Sequence, residues 1–498
     1  MRYLVSAAEM REYDRNTIER IGIPACVLME RAALAAVEII EEHCAGYGGA
    51  GHVLVMAGMG NNGGDGLAVA RLLSEKGYQV EVWTIGDRER ASEQWKQQMG
   101  ILGNYPVECT DRPKRREYAV LVDALFGVGL SRAVEGAYAK ALELFRGLSG
   151  WRISLDMPSG IDTDTGEVLG CAVKADLTVT FGFCKRGLAL YPGCGYAGEV
   201  RTVDIGICER SFFGKEPGMY AYDEDVVSLL PKRDGAGNKA TFGKVLLVAG
   251  SVNMAGAAVL AARAAYRTGA GMVKVITPPE NRIILQQAVP EALLGTVGDL
   301  EEALEWADVA AVGPGLGRSK EAFRCLEQVI RQGAKPLLVD ADGLNLLSEH
   351  QELRELLAGQ GRQGRVIVLT PHVGELARLL GRSVAACKAD LPAAGDALAA
   401  RLNAVVAAKD ARTFICREGH GTCVNLSGNN GMATAGSGDV LAGIIAALLA
   451  QGMEGFQAAA VGAYVHGRAG DYVTAGVGPY ACTAGDMAEA AGRIACNG

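Results

Sequence analysis

Short apolar runs alternate with stretches of helical spacing along nearly the whole chain. In the first half the runs His52 to Ala57, Gln79 to Ile85, Val120 to Ala124, Ile153 to Asp156, Ala175 to Phe181 and Glu199 to Val203 have the length of buried strands. Apolar residues at helical spacing between them predict helices over 24–44, opening on Pro24, over Leu67 to Lys76 and near 89–103. The second half repeats the scheme, with strands at Gly243 to Gly250, Met272 to Thr277, Asp308 to Val312, Leu337 to Asp340 and Val366 to Leu369, and an alanine-rich helix ending at Thr268. A strand pair, Asn403 to Lys409 and Arg412 to Arg417, follows. Asn429 to Gly452 then runs from a glycine-rich loop into a helix whose Leu441, Ile444, Ile445, Leu448 and Leu449 recur at i, i+3, i+4, i+7 and i+8. Strands alternating with helices predict mainly parallel sheets covered on both faces, the α/β class. The alternation lapses over residues 206–240, which contain Glu216-Pro217-Gly218 and Lys232-Arg233-Asp234-Gly235. A boundary is therefore expected near residue 220, with one domain over 1–220 and a second over 221–498.

The residues with chemistry to offer lie where the strands end. Gly58-x-Gly60-x-x-Gly63 stands between a strand and a helix, the context of a dinucleotide-binding turn. Asn61, Asn62, Gly64 and Asp65 crowd carbonyls and a carboxylate into the same turn. Such groups suit a hard cation, or a ribose and phosphate, while Asn and Gly also serve simply to make left-handed turns. Asp123 to Leu130 and Asp156 to Asp162 are two more strand-end turns that carry carboxylates, each of which is otherwise a helix cap. In an open parallel sheet these turns share one edge, so residues distant in sequence converge there.

The second half offers Ser251 to Ala258, Gly313 to Gly317, Ala341 to Asn345 and Thr370 to Glu375, the last with His372 just past a strand end. The turn Lys409-Asp410-Ala411-Arg412-Thr413 suits a nucleotide phosphate or ribose; its ordinary alternative is a solvated charged hairpin. At Gly436-Ser437-Gly438-Asp439 small residues leave the first-turn N–H groups of a helix uncovered, which makes a site for phosphate oxygens. Asp439 beside such a site is either a general base or a helix-start residue favoured by the dipole. No GxxxxGK[ST] occurs, so a P-loop is excluded.

Composition narrows the class further. A chain of 498 residues exceeds one ordinary domain of about 150 residues, and 49% hydrophobic with 21% charged residues and 67 glycines describe a loop-rich globular protein. The net charge of -8 argues against nucleic-acid binding through a basic face but allows an anionic ligand held locally. The charged first dozen residues lack a secretory pattern, and Val440 to Ala450 falls short of the roughly 20 apolar residues that span a bilayer. A soluble cytoplasmic protein with no membrane or nucleic-acid partner is expected. Cysteine occurs 13 times without a CxxC pair, and the 6 histidines make no metal-ligand spacing, so reduced thiols are expected.

With Gly436 to Asp439 the second half resembles the ribokinase-like superfamily, and GAAVLAARAAYRTGAGMV, GPGLG, TPHVGE, KDART and GMATAGSGDVLAG are similar to the ADP/ATP-dependent NAD(P)H-hydrate dehydratases. NNGGDG, DALFGVGL and DMPSGID in the first half resemble the NAD(P)H-hydrate epimerases. Both resemblances together span nearly the whole chain in the order of the bacterial bifunctional repair enzymes. They imply a Rossmann-like domain followed by a ribokinase-like domain. In the first domain the resemblance implies that Asn61, Asn62, Gly63, Gly64 and Asp65, the loop Gly127, Val128, Gly129, Leu130, Ser131, Arg132 and Ala133, and Asp156 hold a hydrated NADH or NADPH. Asn62, Asp123 and Ser159 would ligate K⁺. In the second it implies that Ala257, Gly317, His372 and Asp439 face the hydrate, and that Lys409, Asp410, Ala411, Arg412, Thr413 and Gly438 face the adenine nucleotide, ADP, with Mg²⁺. Asp439 and Asp156 are the implied catalytic residues. AGSGD stands where a second Gly in place of Ala435 is commoner in the family, which leaves Gly438 and Asp439 unchanged. A homo-oligomer is expected. A plain ribokinase-like kinase and a nucleotide-binding scaffold are the rival readings; the first leaves the N-terminal 220 residues idle, the second leaves Asp65, Asp123, Asp156 and Asp439 unused.

Overall fold

Val53, Val55 and Ala57 of the strand His52–Ala57 enter one buried cluster, with Leu67, Val69 and Ala33, while the alternate residues Leu54 and Met56 enter another, with Leu142 and Phe145. Period-two alternation thus feeds two apolar layers, which is why the strand is hydrophobic throughout. Each aliphatic side chain so buried contributes about 1.5–3 kcal/mol. The computed structural model describes residues 1–45 and 51–496. Two compact units divide the chain, one of Tyr3–Met219 and one of Met1–Arg2 with Tyr220–Gly498.

The N-terminal unit is built on a seven-stranded parallel sheet in the order Glu108–Thr110, Gln79–Thr84, His52–Ala57, Glu117–Ala124, Ser149–Leu155, Leu177–Phe181, Glu199–Val203. Chain direction across the sheet reverses between His52–Ala57 and Glu117–Ala124. The loops after those two strands therefore diverge and open a crevice, as in other Rossmann-like sheets. Leu4 and Val5 pair in parallel with Cys184 and Lys185, an association of very short strands that the hydrophobic pattern does not signal.

The C-terminal unit carries the parallel strands Leu293–Gly295, Met272–Ile276, Lys244–Val248, Val309–Val312, Leu337–Val339, Ile367–Leu369 and Val405–Lys409 in that order, continued antiparallel by Thr413–Cys416 and Thr422–Asn425. Here the reversal lies between Lys244–Val248 and Val309–Val312. Several predicted strands stop a residue early: Asp156 and Asp340 fall just outside theirs. Asp156 takes a left-handed backbone at φ 67°, so it turns the chain instead of extending it.

The helix Ser437–Ala450 departs from a one-sided apolar stripe. Val440 to Leu449 are all buried, because the helix lies inside the unit against Ala255–Arg267 and Gly455–Val477. The approach is close enough that a Cβ on Gly443 would stand 2.2 Å from the Ala261 carbonyl oxygen. Gly443→Ala is expected to destabilise the unit by about 1–3 kcal/mol, measurable as a lower denaturation midpoint. Among the described residues no helix is long and apolar enough to cross a membrane.

Candidate active sites

In the N-terminal unit a cavity of about 600 Å³ lies where Gly60 to Asn62, Asp65 and the loop Gly127 to Arg132 meet Asp156 and Lys185. Glycine makes the first turn possible, since a Cβ on Gly58 would lie 2.1 Å from the Leu125 carbonyl oxygen and one on Gly63 1.9 Å from that of Gly58. The chain then enters the helix Asn61–Glu75 from Gly60, which supplies no side-chain cap and leaves the first N–H groups available for an anion. Asp156 is held by Lys185, whose buried ammonium stands 2.5 Å from Oδ1 and also donates to Thr180 Oγ1 and the Phe181 carbonyl. Val128 N–H donates to Asp156 Oδ2 at 3.4 Å, tying the glycine loop to the same carboxylate. Burial, then the charge of Asp156, drives the Asp65 carboxyl well above its usual range and raises that of Asp14, with Lys185 opposing both shifts.

Beneath the cavity, Asp123 is fully buried. It accepts from Ser154 Oγ at 2.9 Å, Ser159 N at 2.8 Å, Ser159 Oγ at 2.6 Å and Leu125 N at 3.3 Å. Burial raises its carboxyl even against these four donors, none of which is a cation. Nearby, both polar atoms of the Asn62 side chain are buried without a hydrogen-bond partner. The orphaned Asn62 amide oxygen and an anion balanced only by neutral donors are groups that suit a monovalent cation.

In the C-terminal unit Asp439 stands in the first turn of Ser437–Ala450, behind Gly436 in left-handed conformation. Burial, then the charge of Asp340, raises its carboxyl to about 6, while Lys409 opposes. Lys409 pairs with Asp340 at 2.9 Å, and a Cβ on Gly438 would lie 3.4 Å from its Nζ, so the loop and the lysine share one corner. Burial disfavours the ammonium, yet Asp340, Glu375 and Asp439 outweigh this and raise Lys409. His372 joins through the backbone, bridging in parallel to Lys409, whose N–H donates to Pro371. Its Nδ1 accepts from Gly374 N–H at 3.0 Å, so the proton of the neutral ring sits on Nε2, 3.4 Å from Glu375 Oε1. Burial and the charges of Lys409 and Arg378 lower His372, whereas burial raises Glu375 to about 7. Gly317 N–H donates to Asp342 at 2.8 Å, and Ala257 lies where a Cβ on Gly315 would come within 2.8 Å.

Residues 25–187 match the family model of the YjeF-related protein N-terminus and residues 245–491 that of NAD(P)H-hydrate dehydratase. The bifunctional NAD(P)H-hydrate repair enzyme of Moorella thermoacetica is 37% identical over 516 residues, which cover 98% of this chain and 95% of that protein. The chain belongs to the bifunctional NAD(P)H-hydrate repair enzymes. The member from Escherichia coli is 33% identical over 494 residues, with 98% and 93% covered. A crystal structure of a ribokinase-like superfamily protein from Enterococcus faecalis, 28% identical, covers 56% of this chain and 96% of its own at a TM-score of 0.50. The C-terminal unit is thus ribokinase-like.

In this repair-enzyme chain Asn61, Asn62, Asp65, Gly127 to Arg132 and Asp156 all line one cavity, and Asp123 and Ser159 form the buried pair below it; Gly63 and Gly64 are buried in the turn and Ala133 is exposed on the loop. Of the turn residues 409–413, Lys409 faces the Asp439 corner. Asp410 is exposed and stands 3.6 Å from Lys388, Ala411 is exposed, Arg412 donates to the Leu426 carbonyl and Thr413 pairs with Lys409 across the strands. Sequence reasoning missed Asp14, Lys185, Asp340, Glu375 and His466. Asp340 ends an apolar run like Asp123 and Asp156, a signal that was available. Lys185 and Asp14 carry none, since the first lies in a two-residue strand and the second inside a helix. His466, buried and lowered to about 4, sets Ser437 Oγ at 3.2 Å from the middle of a long helix.

Proposed function

We propose that the N-terminal unit interconverts the R and S forms of hydrated NADH and NADPH and that the C-terminal unit dehydrates the S form, with ADP as phosphoryl donor. The observation that carries the dehydratase reading is Asp439, a half-buried carboxylate with a raised pKa at an uncapped helix N-terminus beside Lys409. The hydrate bears a hydroxyl on the ring carbon next to the ring nitrogen, and hydroxide leaves poorly. Asp439 takes the proton of that hydroxyl as its oxygen attacks the terminal phosphorus of the nucleotide, which leaves as AMP. The N–H groups of Gly438 and its neighbours, together with Lys409, receive the charge on the transferring group. Phosphate then departs with the ring nitrogen's electron pair assisting, and the dihydronicotinamide returns.

Mg²⁺ would be carried in by the nucleotide phosphates, with Asp340, paired with Lys409, the carboxylate available at its border. Such an ion would supply charge neutralisation at the phosphates. In the epimerase unit Asn62, Asp123 and Ser159 would hold K⁺, where it balances the buried Asp123 and orients the Asn62 turn. Asp156, paired with Lys185, handles the proton that moves as water leaves and returns at the reacting centre. A homo-oligomer in the cytoplasm completes the reading, tested by mass in solution and by fractionation.

The decisive experiment follows the near-ultraviolet absorbance of restored NADH when full-length protein, Mg²⁺ and K⁺ meet racemic hydrate with ADP or with ATP. Complete recovery supports both activities and shows the donor. Recovery that stops near one half leaves only the dehydratase, and phosphorylated hydrate accumulating without NADH means a kinase. Dehydration should also show an acid limb: as pH falls through about 6, Asp439 takes a proton and kcat/KM drops about tenfold per pH unit. A profile flat down to the ordinary aspartate range would remove Asp439 as the base.

A further inference from the structure

The helix Ala7–Asn16 brings into the N-terminal cavity a carboxyl group that no motif marks. Asp14 lines the cavity with Asp65 of the helix Asn61–Glu75 and with Asp156 and Lys185 at the sheet edge. Three carboxyl groups therefore surround one lysine. The Lys185 ammonium is committed to Asp156, Thr180 and the Phe181 carbonyl. Two further cations line the cavity: Arg11 is exposed and donates to the Val128 carbonyl at 3.2 Å, and Arg132 is exposed on the glycine loop. Three anions near one buried cation do not all stay ionised, because each uncompensated charge loses hydration and repels the others. The proton goes to the groups without the lysine. Burial and the charge of Asp156 raise both Asp14 and Asp65, and neither has an ammonium partner of the kind that Lys185 gives Asp156.

We propose that Asp14 is the general acid of the epimerase site and works with Asp156 as its base. The inference rests on the epimerase reading above and gives it two chemically different carboxyl groups, the pattern by which environment sorts acids from bases. The Asp14 proton passes to the substrate hydroxyl as the carbon–oxygen bond breaks, and the ring nitrogen's lone pair forms the C=N bond while water leaves. A water then attacks the same carbon from the other face, a new carbon–oxygen bond forms, the C=N electron pair returns to nitrogen and the surplus proton goes to Asp156. Proton transfer from Asp156 to Asp14 through water restores both groups. Nothing is oxidised or reduced. Asp65 lines the same cavity beside both groups.

The test uses the full chain and the purified R epimer without adenine nucleotide, with S epimer measured chromatographically and the buffer rate subtracted. Asp14→Asn, which cannot donate a proton in this way, is expected to lower kcat by between about a hundredfold and ten-thousandfold with KM nearly unchanged. Dehydration of the S epimer by the same variant should stay at the wild-type rate. The wild-type epimerisation rate should fall on the alkaline side as Asp14 loses its proton, and Asp14→Glu should recover much of the rate together with that limb. Wild-type kcat in Asp14→Asn, a loss confined to KM, or an unchanged alkaline limb in the residual Asp14→Asn rate would overturn the assignment. A wild-type protein that does not interconvert the epimers would instead end the epimerase reading, and the dehydration assay would show that the chain is folded.

Discussion

Asp439→Asn is expected to leave a protein that binds hydrate and nucleotide but restores almost no NADH. The amide keeps the shape of the side chain and its place in the first turn of Ser437–Ala450, yet it cannot accept the hydroxyl proton. Loss of a general base costs about a hundredfold to ten-thousandfold in rate, so kcat should fall by that much while KM for either substrate changes little. Epimerisation should continue, since Asp439 belongs to the other unit. Stability separates this from simple damage. A carboxyl raised to about 6 in the folded protein contributes stability that is present when it is protonated and lost as pH rises through that value. Removing the charge should therefore leave the neutral-pH denaturation midpoint of the C-terminal unit equal to or above wild type, with the difference vanishing in acid. A large drop in midpoint, or a kcat near wild type, would contradict the role.

The second large effect is expected at Lys185. It is 1% exposed and compensates Asp156 in a cavity that Asp14 and Asp65 also line. Lys185→Met keeps most of the volume but leaves a buried carboxylate without its partner, and breaking such a pair from one side costs about 3–5 kcal/mol. The N-terminal unit should unfold at markedly lower denaturant, and the deficit should shrink as the pH falls and the carboxyl groups protonate. Asp156→Asn should be milder in stability, because an amide accepts from the ammonium and leaves no stranded anion, while epimerisation fails. If Lys185→Met were as stable at neutral pH as wild type, Lys185 would not be what holds the charge of Asp156.

The two sites pose the same problem and resolve it differently. Asp123 is buried among hydroxyl and amide donors only, Asp156 by direct pairing with an ammonium, and Asp439 by remaining half-buried with a raised pKa. The last arrangement is the one that leaves a carboxyl able to change protonation near neutral pH, as the proposed base needs. Asp156 also holds a left-handed backbone, as do Asn253 and Ala341 at two strand ends of the other unit. Such residues cost about 1–3 kcal/mol each where the conformation is strained, which is consistent with positions set by a site and not by local preference.

Strand placement was legible because buried parallel strands are short, apolar and bounded by glycine turns, so His52–Ala57, Lys244–Val248 and Val309–Val312 stand out from one-dimensional pattern alone. The strand-end turns were legible for the same reason. Leu293–Gly295 and Thr422–Asn425 were not, since three or four residues carry no period and their pairing depends on neighbours already in place. The chain by itself determined the α/β class and the placing of Asn62, Asp123, Asp156 and Asp439 in strand-end turns or at a helix start, because turn glycines and carboxylates at the ends of apolar runs are local features. Tertiary structure alone decided that Lys185 faces Asp156, that Asp14 enters the same cavity and that Lys409 turns toward Asp340 and Gly438. Those are contacts between elements tens to hundreds of residues apart, and they arise from sheet order and from the energy of compensating buried charge, neither of which is written in the spacing of any one segment.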